Sequence, residues 1–562
     1  MRWCYGLLLS CFLGAAYADA GSLSFSLEQA LAWSEETALS KQHARAEEPL
    51  AKRRIPAEGQ LWPGLDKRMQ VLMAPDGMDN LAFEQPQTTM NHYLFRHWSS
   101  IDVLNWFAGT ADNTVNLPAA SWVDVAHRNG VKVIGSVFFA PTAWGGQPER
   151  VAAALKQDEH GRFPLADQLL SMATFYGFDG WLINQETDLS ALPEQEARRI
   201  AEQMQQFMAY LMQQRPEGME IHWYDAMLTS GAVRWQNEYN QPLAEFLRPE
   251  QELLADAVFL NYFWQYGQPE RSHQLSRQHG VDPFQIFTGA DVWPGRNDQP
   301  AFRDTSWLTA LFNPENGQAW TSLALFGVNF AYQFDGDERQ AAFHQFSQNP
   351  AEVQPFYQTE QRLFAGDSLN VADEGNDEGW VGLQRYIPVR TVSHSLPFYT
   401  SFNTGHGNYL FDQGERLAGS WHDIRQQDRL PSWQFAVLGT GEAEIHYDFE
   451  HAWRGGSSLH LKADSRKGSV QVPLYLTKLR LTNKSQLTAV SWQPAKTGSL
   501  QLWLELDDGN TLYYELLSGN ASWQQQRVSL ADYAGKTIQR IGLYLAEGSA
   551  DYRGWLGQLV IE

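Results

Sequence analysis

Short apolar runs and longer amphipathic stretches alternate along residues 61–365. The runs 69–73, 103–107, 131–138, 180–184, 221–225, 257–261, 284–291 and 322–330 read as eight strands. Most are apolar on both faces, as strands buried in a parallel sheet are. After the fourth, Leu192, Ile200, Met204, Phe207, Met208 and Leu211 share one face of a helix. Helices with strands at this spacing predict an α/β domain, a (β/α)8 TIM barrel. A doubly wound open sheet would carry a Gly-rich phosphate turn after an early strand, and none follows Met73 or Phe107.

The texture changes beyond residue 365. Residues 366–379 are rich in Gly, Asp, Asn and Glu, so 366–395 reads as a linker. Residues 396–562 show no sustained helical period. Short alternating segments at 444–449, 458–462, 471–476, 488–492, 500–506, 511–516, 526–530, 540–545 and 556–561 are separated by Gly-Ser, Asp-Gly and Gly-Asn turns. That pattern predicts an all-β unit, a jelly-roll-like β-sandwich, and the length suits one sandwich rather than two. At the other end, Arg2, an apolar run to Tyr17 and the small-x-small Ala16-Tyr17-Ala18 read as a signal peptide over 1–18. Export to the periplasm or the exterior is the expectation. Residues 19–60 form a charged lead-in with no visible chemistry.

Charge narrows the partners. A net charge of -23 disfavours nucleic acid and anionic membranes. No later apolar run is long enough to span a bilayer. Both cysteines, Cys4 and Cys11, fall in the leader, so the mature chain has no disulfide and no thiolate site. No His or Cys cluster has metal spacing, and no cofactor is expected. The 22 Trp offer flat amphipathic faces on which sugars stack, although most of them should fill the two cores.

The chemistry concentrates in Gly177–Thr187. Asn184 and Glu186 stand two apart at the end of strand four, so their side chains share a face at the catalytic end of a barrel. Glycosidases usually pair two carboxyls, but an amide beside one carboxyl suits substrate-assisted catalysis. The sugar's own 2-acetamido oxygen then attacks the anomeric carbon, Glu186 supplies the proton and Asn184 orients the acetamido N–H. The bland alternative is a helix-capping Asn beside a solvated Glu. Other strand ends carry Tyr224 and Asp225, then Asn261 with Phe263 and Trp264, Asp291 with Trp293 and Arg296, and Tyr332 with Asp335 and Asp337.

The run Asp179–Thr187 resembles glycoside hydrolase family 85. So, in the family's order, do Ser121-Trp122, Ala126–Val133, Trp223–Asp225, Leu260–Trp264 and Thr288–Trp293, which together span most of 60–365. The central run also looks like the chitinase pattern of family 18, but Leu182 and Asn184 stand where that pattern has acids. The resemblance implies an endo-β-N-acetylglucosaminidase. Such an enzyme cuts the N,N'-diacetylchitobiose core of N-glycans with retention through an oxazolinium ion, with transglycosylation open to it. It also implies that Glu186, Asn184 and Tyr224 are catalytic, with the Tyr224 hydroxyl on the acetamido oxygen. Trp235 and Trp264 would face the acceptor, while Asn261, Phe263, Asp291, Trp293 and Tyr332 are expected to bind substrate from their places at the strand ends. For each tryptophan the competing reading is packing, and for Asp225 and Asp291 it is loop-holding. Ala140 replaces an acidic residue that some members carry at strand three. The expected partners are N-glycans of glycoproteins or free glycans, and a monomer is expected. A chitinase-like β-N-acetylhexosaminidase and a non-catalytic glycan-binding protein remain the alternatives.

Overall fold

The computed structural model describes residues 23–38, 44–78, 83, 86–88, 90, 93–249, 252–293, 305–333, 353–375, 379–494, 498–519 and 521–562. The expected leader lies outside them. Eight parallel strands close a barrel: β1 (Val71–Ala74), β2 (Val103–Asn105), β3 (Lys132–Phe139), β4 (Gly180–Gln185), β5 (Glu220–Tyr224), β6 (Ala257–Phe259), β7 (Ile286–Asp291) and β8 (Ser322–Phe326). Each pairs with its sequence neighbour, and β8 returns to β1 with Leu323 opposite Val71. The expected strands match these closely, the second and sixth running on two residues too far and the eighth four. The eighth stops at Phe326, because Gly327 turns at φ 73° and the chain enters a short helix at Phe330.

Alternation sorts the strand residues into two cores. Leu72, Val103, Ile134, Leu182, Tyr224, Phe259 and Phe287 fill the barrel interior with side chains. Their neighbours Trp181, Ile183 and Trp223 point outward into the helical layer. Helix α1 (Ala120–Arg128) follows β2, α2 (Pro164–Tyr176) precedes β4 and α3 (Glu194–Gln214) follows it. Pro164 opens α2, where its missing N–H costs nothing, and Gly177 ends it in the left-handed region at φ 81°. On α3, Ile200, Met204, Phe207, Met208 and Leu211 are buried, a stripe in which each side chain contributes about 1.5–3 kcal/mol. Phe207→Ala would cost roughly 3–5 kcal/mol through the cavity left behind. Asp179 fixes the lower end of β4: its Oδ2 accepts from the Val133 N–H at 2.7 Å and meets His127 Nε2 of α1 at 2.8 Å.

Besides two small sheets among the described residues, the C-terminal part is built on two large antiparallel ones. One orders Glu442–Asp448, Ser458–Asp464, Tyr552–Ile561, Gln486–Trp492 and Gln524–Ser529, with Phe398–Thr400 on the end of Tyr552–Ile561. The other orders Leu438–Gly439, Val470–Arg480, Thr537–Leu545, Leu500–Leu506 and Thr511–Glu515. Leu459, Leu461, Leu474, Leu502 and Leu543 pack between them, giving a sandwich.

Barrel and sandwich meet along a polar seam. The Trp98 indole donates to Gln427 Oε1 at 2.6 Å, and Gln427 Nε2 donates to the carbonyls of Phe95 and Thr404. Gln434 accepts from the Tyr447 hydroxyl and donates to the Arg96 carbonyl. Buried Arg96 pairs with Glu360 of α4 (Gln354–Ala365) at 2.6 Å, and buried Arg390 grips Asp102 just before β2.

Candidate active site

The C-terminal ends of β4, β5, β6 and β7 bring together most of the expected residues. β4 alternates Leu182, Asn184 and Glu186 toward the barrel axis, with Asn184 level with Phe138 of β3. The Glu186 N–H donates to the Phe139 carbonyl, and Thr187 Oγ1 donates to that of Ala140. The loop after β3 crosses this junction at Gly146, where a Cβ would stand 1.8 Å from the Ala140 carbonyl oxygen. Only glycine lets the loop lie that close to the Glu186 strand.

Burial pushes the Glu186 carboxyl above its ordinary value, while Asn184 and the Trp235 indole pull it back. Trp235 Nε1 donates to Glu186 Oε2 at 3.2 Å, and the indole is 44% exposed, so one face is open at the rim. Asn184 is buried, and beyond this interaction with Glu186 neither its Oδ1 nor its Nδ2 is paired with a group of the fold. An unpaired buried amide costs about 1–3 kcal/mol.

Tyr224 is buried inside the barrel and donates its hydroxyl to Asn261 Oδ1 at 3.0 Å. Burial raises its pKa well above the ordinary tyrosine value, so it remains a proton donor. Asp225, the next residue, has its carboxyl pushed up to about 7 by burial although three backbone N–H groups pull it down.

The acceptor-side aromatics separate. Phe263 is 54% exposed at the rim, whereas Trp264 is 6% exposed, sits in the core and donates its indole N–H to the Gly289 carbonyl at 2.6 Å. Consecutive residues point to opposite sides here, and Trp264 packs rather than lining the rim. Asp291 is buried at the end of β7, with Oδ1 accepting from the backbone N–H of half-buried Trp293 at 3.0 Å. The Tyr332 side chain, Arg296, Asp335 and Asp337 lie outside what the structure describes.

Against this geometry, the model of glycosyl hydrolase family 85 matches residues 78–410, more than half of the chain. The chain belongs to glycosyl hydrolase family 85. Curated relatives include the cytosolic endo-beta-N-acetylglucosaminidase of Homo sapiens, 30% identical over 478 residues, covering 83% of this chain and 55% of that protein. The Gallus gallus protein of the same name is 28% identical over 473 residues, covering 82% and 56%. Among solved structures, the glycoside hydrolase domain of Endo-D from Streptococcus pneumoniae R6 superposes with a TM-score of 0.81 at 26% identity, over 96% of this chain and 83% of that one. The chain spans about half the length of the curated relatives it matches. Their names overturn the expected export: these family 85 relatives are named as cytosolic proteins.

One family 85 side chain in the mouth escaped the sequence reading. Tyr262 follows β6, stacks on Phe326 at 5.0 Å and 16°, and lies within electrostatic reach of Glu186 and Asp291. Strict alternation from Asn261 would send it outward. The strand ends at Phe259, however, and Gly289, whose Cβ would be 3.0 Å from the Tyr262 ring, leaves it room. A glycine within β7 was the available signal.

Proposed function

We propose that this chain is an endo-β-N-acetylglucosaminidase that hydrolyses the bond between the two core GlcNAc residues of N-glycans. Family membership and the names of its relatives support the activity. The observation that carries the mechanism is the Asn184 amide, buried, unpaired with the rest of the fold and turned toward Glu186.

In this reading the acetamido group of the substrate completes Asn184. The Asn184 carbonyl oxygen accepts the acetamido N–H and turns the acetamido oxygen toward the anomeric carbon. Glu186, whose pKa burial raises in favour of the protonated form, donates to the leaving O4 as the glycosidic bond breaks and the oxazolinium ring closes. The Tyr224 hydroxyl shifts from Asn261 Oδ1 to the acetamido oxygen and polarises it. Glu186, now a carboxylate, takes a proton from water, which opens the ring from the opposite face. Two inversions give net retention, and an alcohol in place of water gives transglycosylation. Trp235 and Phe263, open at the rim, receive the GlcNAc that stays on the protein.

Digestion of a glycoprotein bearing defined N-glycans tests this reading. The expected products are a free glycan ending in one GlcNAc and a protein retaining one GlcNAc. Release of a glycan with both core GlcNAc residues, or no release from any N-glycan class, would contradict it. Cleavage of chitin oligomers with no action on N-glycans would favour the chitinase-like alternative.

A further inference from the structure

The carboxylate of Asp225 is fully buried one residue beyond Tyr224 and does not face the open mouth through either oxygen. Its Oδ1 accepts from the Gln236 N–H at 2.6 Å. Its Oδ2 accepts from the N–H groups of Asn237 at 2.7 Å and Asn261 at 3.2 Å. These donors lie on two separate loops, one after β5 and one after β6. Between Asp225 and Gln236 the chain makes a hairpin in which Met227 pairs with Val233, and the Arg234 N–H returns to the Ala226 carbonyl. The hairpin brings residues 235–237 back over the strand end that they left.

Each loop delivers a side chain to the mouth. Trp235 precedes the two clamped amides and reaches Glu186. Asn261, clamped through its N–H, accepts the Tyr224 hydroxyl. Asn237 sits in the left-handed region at φ 59°, which is uncommon without glycine, and its Oδ1 accepts from the Phe263 N–H at 3.0 Å. Thus one carboxylate ties together the indole on the acid, the partner of the tyrosine and the exposed aromatic rim.

We propose that Asp225 is the positioning residue of this site, holding Trp235, Phe263 and Asn261 in register with Glu186 and Tyr224. The inference rests on the functional reading above for its catalytic consequence and on geometry alone for the clamp. A staple that merely stabilised two loops would act on folding. A positioning residue also sets kcat and the choice between water and an alcohol acceptor, because misplacing reacting groups by about 1 Å costs on the order of 10²-fold in rate.

The test is Asp225→Asn, which keeps the size and one acceptor oxygen, compared with the full wild-type chain. Hydrogen exchange at the amides of 236 and 237, measured without substrate, should speed up by about tenfold or more as the clamp opens. In the same folded preparation, kcat for glycoprotein hydrolysis should fall by on the order of 10²-fold, and the ratio of transfer to hydrolysis should change. Asn237→Gly keeps the backbone conformation, leaves the Asp225 clamp on the main chain and deletes the side-chain links to the Phe263 N–H and, at 3.3 Å, the Trp235 carbonyl. It should raise the KM for an alcohol acceptor while leaving kcat for hydrolysis within about threefold, since a rim contact binds acceptor and not the reacting bond. Unchanged exchange in folded Asp225→Asn overturns the proposal, as does faster exchange with kcat, KM and partition all at wild-type values. If Asp225→Asn does not fold, an unchanged acceptor KM in Asn237→Gly overturns it. A wild-type chain inactive on glycoproteins would instead sink the functional reading, and the exchange measurement would still decide whether Asp225 holds the rim.

Discussion

Buried amides occupy two regions of this molecule in opposite circumstances. At the seam between barrel and sandwich, Gln427 uses its oxygen on the Trp98 indole and its nitrogen on two carbonyls, and Gln434 is bonded at both ends. At the barrel mouth, Asn184 is as deeply buried and, apart from its interaction with Glu186, bonded at neither end. The contrast holds over a single residue, since neighbouring Gln185 closes both its groups on the backbone of Thr187. Gln427, Gln434 and Gln185 serve the fold and are completed by it. Asn105, Asn116 and Gln384 each leave only an oxygen unpaired, whereas Asn184 has both ends free of the fold and stands next to the candidate acid, where a ligand that brings an N–H removes its desolvation cost.

That contrast can be broken by substitution at either end. The largest effect belongs to Glu186→Gln, which should lower glycan hydrolysis by about 10²–10⁴-fold while leaving glycan binding measurable by calorimetry. Near-normal turnover would remove Glu186 from the mechanism. At the seam, Gln427→Ala strands the Trp98 indole and the Phe95 and Thr404 carbonyls, and should cost about 2–4 kcal/mol in denaturant unfolding. Asn184→Ala should stay within about 1 kcal/mol of wild type, because apart from the Glu186 carboxyl the group it deletes leaves no partner stranded. Equal destabilisation by the two would erase the distinction between the regions.

A finer test uses pH. Burial raises the Glu186 pKa and the Trp235 N–H lowers it by favouring the carboxylate. The acid must be protonated, so hydrolysis should decline as pH rises through the raised value, above the ~4.3 of a free glutamate. Trp235→Phe removes the stabilising donor, so the alkaline limb of kcat should move to higher pH. A shift to lower pH would contradict the hydrogen bond to Glu186.

Much of this arrangement was legible in the chain. Runs of apolar residues located the strands, because a strand buried on both faces has no polar alternation to obscure it. The period of two in a strand puts Asn184 and Glu186 on one face. What stayed hidden depends on where strands stop. Nothing local distinguishes Phe263, exposed, from Trp264, buried, once β6 has ended at Phe259. Nor does sequence place Asp225 beneath Gln236 and Asn237, since that contact requires the hairpin between them to close. The charged, glycine-rich composition of 366–379 suggested loose chain, yet Trp380 and Leu383, just beyond, are fully buried against the barrel side. Export was read from a leader motif and is corrected by the relatives' names.

The central claim is that Asn184 is kept open for the substrate's acetamido group, and one comparison tests it most directly. Asn184→Ala should be assayed on a natural N-glycoprotein and on a preformed glycan oxazoline with a GlcNAc acceptor, using one folded preparation. The expected result is loss of hydrolysis with transfer from the oxazoline retained, because that donor has already passed the assisted step and Glu186 remains to activate the acceptor. Normal hydrolysis of the natural glycan, or loss of both reactions together in a folded protein, would contradict it.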